Sequence, residues 1–135
     1  MQNKSIISRW LPVLLWVLII FLASSNPDPY KPLPPGLLKP CFTAQSGSPS
    51  CAELLGRFLH ITEYAILSFL VFRSVFWRNR KPRLLSIVGI IIAIELFALS
   101  DEIHQLFVPG RNFQLYDLII DLLGIFIGLL IYLFV

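Results

Sequence analysis

The chain has 135 residues, 56% of them hydrophobic and 14% charged, and its mean hydropathy is +0.76. An average soluble domain carries about 25% charged residues, so an ordinary water-soluble domain is excluded, and so is disorder, which needs low hydrophobicity and high charge. The net charge is +3, but five of the eleven basic residues (Arg73, Arg78, Arg80, Lys81 and Arg83) crowd between two apolar runs, which marks a cytoplasmic membrane loop rather than a nucleic-acid surface.

The length fits one domain, residues 1–135. The sequence predicts an all-α integral membrane bundle of four transmembrane helices, each near the length of about 20 residues that crosses a hydrocarbon core. The first helix is expected over about Ile6 to Ala23. Lys4 and Arg9 flank its start, and Ala23-Ser24-Ser25 follows its end. A cleaved signal peptide is the alternative reading of this pattern, and the presence of Met1 favours a retained helix. Asn26 to Glu53 holds seven of the ten prolines. Proline removes backbone donors and resists helix, so this segment reads as an extended surface loop. It also carries Cys41 and Cys51. On an oxidising face the two are expected to close a disulfide, with free thiols as the alternative.

The second helix is expected over Leu54 to Trp77, the third over Leu84 to Leu99 with a continuation toward Val108, and the fourth over Leu115 to Val135. The basic residues before the first helix and between the second and third place those segments, and with them both termini, on the cytoplasmic side. Each such residue gains about 1 kcal/mol beside anionic lipid. Trp10, Trp77 and Tyr132 fall near span ends, as interfacial aromatic belts do. Trp16 lies within the first span and reads as lipid-facing or packed.

Of the eight acids, six (Glu63, Glu95, Asp101, Glu102, Asp117 and Asp121) lie in or beside helices toward their expected outer ends. His60 and His104 sit at the same level. Residues three and four apart share a helix face, so Arg57, His60, Glu63 and Tyr64 form one stripe on the second helix. Glu95, Ala98, Glu102 and Gln105 form another on the third, about 15 Å long at helical rise. Asp117, Asp121, Gly124 and Gly128 share a face of the fourth. A charge at the centre of a membrane helix costs about 2.5–3.5 kcal/mol on insertion scales. The stripes are therefore expected to face one another, with Arg57 and Arg111 as counter-charges, around a polar pocket that opens outward. Pro109-Gly110 signals a turn, after which Arg111 either holds a phosphate or carboxylate or pairs with Asp117 or Asp101.

Three readings of this pocket stand side by side. An enzyme acting on a lipid-linked or phospholipid substrate would use Glu102, His60 and Glu63 as acids and bases. Arg111, Gln105, Arg57, Glu95 and His104 would then serve as ligand-binding groups. Asp117 and Asp121 could hold a hard cation through oxygen, or His60 and His104 could join a zinc site, although no metal-binding motif is present. A binder would hold a headgroup, wall precursor or glycopeptide with the same residues and change no bond. Interhelical polar glue is the third reading, at about 0.6 kcal/mol per hydrogen bond. Four helices are few for a transporter, unless Gly124 and Gly128 support a homo-oligomer.

The run Ser100-Asp101-Glu102-Ile103-His104-Gln105 through Pro109-Gly110-Arg111, followed by Asp117, Asp121, Gly124 and Gly128, resembles the signature of the VanZ-like membrane family. Arg57, His60, Glu63 and Tyr64 resemble that family's stripe on an earlier helix, and Phe21-Leu22-Ala23-Ser24-Ser25 resembles its motif at the end of the first. The resemblance covers nearly the whole chain. The loop from Asn26 to Glu53 is its least typical part. It implies a small multi-pass protein of the bacterial cytoplasmic (inner) membrane. The family is named for an accessory protein that gives low-level teicoplanin resistance without replacing the peptidoglycan terminus. The resemblance marks His60, Glu63, Glu102, Gln105, Arg111, Asp117, Asp121 and Gly124, and it leaves the chemistry and any cofactor open.

Overall fold

A computed structural model describes residues 6–27, 51–77 and 82–135. Cys41, the Cys51 side chain, and Arg78, Arg80 and Lys81 of the basic cluster lie outside the described residues. Four helices stand where the apolar runs predict them: α1 (Ile6–Ser24), α2 (Cys51–Val75), α3 (Leu84–Gln105) and α4 (Leu115–Phe134). All four are long and apolar enough to cross a membrane. Their outward surfaces carry the exposed side chains that lipid requires. Leu11, Leu14, Leu18 and Leu22 line the outside of α1, and Ile119, Leu123, Phe126 and Leu130 line the outside of α4. A helix apolar on every side is a buried or membrane helix, and the protein itself buries a core centred on Val13, Ile20, Tyr64, Leu67, Ile94, Ala98 and Ile125.

Helix α2 sits at the centre and packs against the other three, most extensively against α4. Helices α1 and α4 lie on different sides of it and barely meet. The α2–α4 contact is close because its surfaces are small. Gly124 and Gly128 of α4 lie against the backbone of Ile61 and Ala65. A Cβ at Gly124 would stand 2.6 Å from the Ile61 carbonyl oxygen, and one at Gly128 would overlap that of Ala65. Ser68 Oγ donates to the Ile125 carbonyl at 2.8 Å and ties the two backbones together. The face of Gly124 and Gly128 thus packs against α2 of the same chain. Small residues that let backbones approach are the usual means of helix association in lipid, where apolar contact alone gives little preference.

Near its start, α1 meets the end of α2, where the single hydroxyl proton of Ser74 is shared between the Arg9 carbonyl at 2.9 Å and the Leu70 carbonyl of its own helix at 2.7 Å. Midway along α1, Trp16 Nε1–H donates to the Glu63 carbonyl at 2.9 Å, so this indole is packed inside the bundle. Helix α3 runs past Leu99 to Gln105, because Asp101, Glu102 and Gln105 all find buried positions on its inner face. Beyond Gln105 the chain tightens. Phe107 N–H donates to the His104 carbonyl and Val108 N–H to the Gln105 carbonyl. Val108-Pro109-Gly110-Arg111 then closes a turn through a 3.1 Å bond from Arg111 N–H to the Val108 carbonyl. Gly110 has φ +83°, the left-handed position after proline that a type II turn assigns to glycine.

The glycine contact sets a clear expectation. Gly128→Val should destabilise the bundle by about 1–3 kcal/mol or more, since the methyls must displace backbone. Gly89 meets nothing within 4 Å, so Gly89→Val should stay within about 0.5 kcal/mol of wild type. Thermal unfolding of the two proteins in the same detergent measures the difference.

Candidate functional site

The polar groups gather at the end of the bundle where α1 and α3 finish and α4 begins. Glu102 anchors this end. It is 0% exposed, and its Oε2 accepts the backbone N–H of Gln114, the residue that caps α4, at 3.0 Å. One carboxylate thereby joins the last turn of α3 to the first turn of α4. Asp117 follows in that first turn, where the positive end of the helix dipole favours a carboxylate.

One turn further along α4, Asp121 is 1% exposed and its Oδ1 accepts Nδ1–H of His60 at 2.9 Å. The close α2–α4 packing at the glycines is what brings these two side chains together. The bond fixes the imidazole plane and leaves Nε2 as the free ring nitrogen. His60, Glu102 and Asp117 come from three different helices, and each places a ligand-capable atom within 4.8 Å of the others.

Next to this cluster is a cleft of about 260 Å³. His60 and Glu63 of α2, Asp101 and Gln105 of α3, and Arg111 of the turn line it, and the end of α1 closes its side with Ala23, Ser24 and Asn26. Gln105 donates to Asp101 Oδ2 at 3.3 Å. Arg111 donates from Nε to the Asn26 carbonyl at 3.2 Å and reaches the Ala23 carbonyl from Nη2 at 3.5 Å. It therefore caps the carbonyl end of α1, as arginine near a helix C-terminus does. A guanidinium has five N–H donors, so donors remain for an anion in the cleft. Leu59, 40% exposed, also lines the cleft and forms an apolar part of its rim. A larger cavity, about 450 Å³, lies at the opposite end among Phe69, Trp77 and Tyr132 with Arg73 and holds no carboxylate side chain.

A family model described as VanZ/LLP1 matches residues 9–135. The chain belongs to this family. No curated protein and no solved structure matches it. The matched span contains every described residue of the cleft and of the buried cluster.

Within this VanZ-like chain, the residues expected to act together divide into groups. His60 and Glu63 face the cleft, and Glu102 is buried beside His60 rather than lining the cleft. Gln105 and Arg111 also line the cleft. Arg57 does not. Its guanidinium lies over the Tyr116 ring, 4.8 Å from the centroid. Among the described residues neither Arg57 nor Arg111 pairs with a carboxylate, so the expected counter-charges are replaced by an aromatic face and by α1 carbonyls. Glu95 lies deeper along α3, with Oε2 buried and without a hydrogen-bond partner.

His104 is turned to α1. Its ring stacks on Phe21 at 4.7 Å, and its Nε2 is 3.1 Å from Ser25 Oγ. Ser25 spends its hydroxyl proton on the Phe21 carbonyl at 2.7 Å, so His104 Nε2–H is the donor in this pair. His104 is not among the residues whose ligand atoms converge with that of His60. The two histidines serve different helices. Asp117 offers a ligand atom near those of Glu102 and His60, while Asp121 is bonded to His60.

Asp101 was read as a border residue of its stripe, yet it is buried and lines the cleft. The sequence marks Ser24 only as part of the segment ending the first helix, and Asn26 only as the start of the Pro-rich loop, yet both line the cleft. The Ala23-Ser24-Ser25 segment repeats no polar stripe and reveals its neighbours only when α1 is packed.

The His60–Asp121 contact should be energetically coupled. A double-mutant cycle with His60→Ala, Asp121→Ala and the double variant, read from unfolding in detergent, is expected to give a coupling of about 1–3 kcal/mol. Simple additivity would separate the two residues.

Proposed function

We propose that this VanZ-like protein works at the outer leaflet of a bacterial inner membrane, with both termini in the cytoplasm. There the cleft takes the polar headgroup of a lipid or lipid-linked cell-envelope molecule. The observation that carries this reading is the composition of the cleft within a membrane-spanning bundle. Arginine, glutamine, histidine and two carboxyl groups surround a space of about 260 Å³ whose rim includes an exposed leucine. A headgroup can enter such a cleft while its acyl or prenyl chain stays beside the apolar flank. A soluble ligand would have no use for that rim.

Each residue has a part to play. Arg111 presents a planar cation suited to a phosphate or carboxylate. Gln105, held by Asp101, offers its amide to the same ligand. His60 and Glu63 are the cleft residues equipped to move a proton. Intramembrane ionisable groups that face a shared space mark function more often than packing. Sequestering or altering an envelope lipid in this way is the route by which the protein would give low-level resistance to teicoplanin.

The test is expression of wild type, Glu63→Gln and Arg111→Ala in a teicoplanin-sensitive bacterium, with membrane levels measured beside inhibitory concentrations. Wild type is expected to raise the inhibitory concentration, and both variants to lose that protection at equal protein level. Full protection by both variants would remove function from the cleft. In a background with Cys41 and Cys51 changed to serine, Asn112→Cys should react with an impermeant maleimide added to intact cells. Labelling that needs broken cells would place the cleft on the cytoplasmic side.

A further inference from the structure

We propose that His60, Glu102 and Asp117 bind a divalent transition-metal cation, with Asp121 as the residue that orients His60 for it. The site stands on its own chemistry, whatever molecule the cleft accepts.

Four observations converge on it. The three residues come from α2, α3 and α4, and their ligand-capable atoms lie within 4.8 Å of one another. Glu102 is fully buried. Its Oε2 is used by the Gln114 N–H, while its Oε1 has no hydrogen-bond partner. A buried carboxylate oxygen left unmatched is costly, and this carboxylate offers an atom within 4.8 Å of a second carboxylate and an imidazole. The His60 ring is fixed through Nδ1 by Asp121, the arrangement by which metal-bound histidines are held through their other nitrogen. Finally, the nearby arginines are engaged elsewhere. Arg57 lies on Tyr116 and Arg111 on the end of α1, so Glu102 and Asp117 have no arginine between them. Buried carboxylates keep their charge when paired or bound to a metal.

The donor set selects the ion. One imidazole nitrogen with two carboxylate oxygens suits zinc or manganese, since soft ions prefer thiolate and magnesium or calcium prefer oxygen alone. Metal bonds of about 2.0–2.2 Å draw the three atoms to roughly 3.3 Å of each other, a movement open to the half-buried Asp117. Three protein ligands leave at least one position for water, as in catalytic rather than structural zinc sites. His60 also lines the cleft, which supplies the way in.

The experiment uses the full-length, tag-free protein in detergent, with Cys41 and Cys51 changed to serine so that thiols cannot bind the probe. After treatment with chelator, it is titrated with zinc chloride and with manganese chloride. Calorimetry measures stoichiometry and affinity, and paramagnetic resonance follows manganese. One equivalent of zinc or manganese is expected. Glu102→Gln and Asp117→Asn should each weaken it by about 100-fold and Asp121→Asn by about 10-fold. Glu95→Gln, two turns away on α3, should leave it unchanged. All variants are compared at matched unfolding temperature and elution volume. If Glu102→Gln fails to fold, Asp117→Asn carries the comparison. No stoichiometric binding, or binding that survives both ligand substitutions, overturns the proposal and leaves Glu102 as a connector of α3 and α4.

Discussion

The close approach of α2 and α4 is the constraint on which the other polar contacts depend. Gly124 and Gly128 remove the side chains that would hold the two backbones apart, and Ser68 adds a hydrogen bond across the gap. At this separation Asp121, one turn before Gly124, reaches His60 at 2.9 Å. A wider spacing would leave a carboxylate and an imidazole unmatched inside a membrane bundle, where each unmet polar group costs free energy. The small residues and the His60–Asp121 hydrogen bond therefore belong to one arrangement. The first permits the second, and the second gives the helix pair a register.

Helix α3 and the turn after it complete the site by a different device. Glu102 bonds to the backbone of Gln114, so the end of α3 and the start of α4 are joined through a side chain and through the Pro109-Gly110 turn. Helix α1 is the remaining wall. Trp16 fastens its middle to Glu63, Ser74 fastens its start to α2, and Arg111 with His104 fasten its end. Each fastening uses a backbone carbonyl or a serine hydroxyl, and none consumes a carboxylate. The acids are thus left for the cleft and the buried cluster. Glu102 and Asp121 are not spared in the same way, since they join α3 to α4 and α4 to α2.

Much of this was legible in the chain. Hydropathy and length placed the four helices with end shifts of a few residues, because lipid imposes a minimum length on any apolar span. Helical spacing placed His60 with Glu63, and Asp117 with Asp121, on shared faces. The Pro-Gly pair marked the turn, and the density of acids toward one end marked the site. Such features are local, since they follow from 3.6 residues per turn and from the cost of leaving polar groups in hydrocarbon.

Which face meets which is a matter of tertiary structure. Spacing cannot tell that Gly124 and Gly128 meet Ala65 of the same chain rather than a second copy, since both partners offer equally small surfaces. Nor can it tell that His104 turns to Ser25 and Phe21, that Arg57 turns to Tyr116, or that Arg111 caps α1 instead of pairing with an acid. These choices depend on helix order and rotation. In a membrane helix apolar on nearly every side, the pattern of hydrophobic residues carries little information about rotation. Steric fit at the glycines and the matching of each buried donor to an acceptor settle it, and both exist only once the four helices are packed.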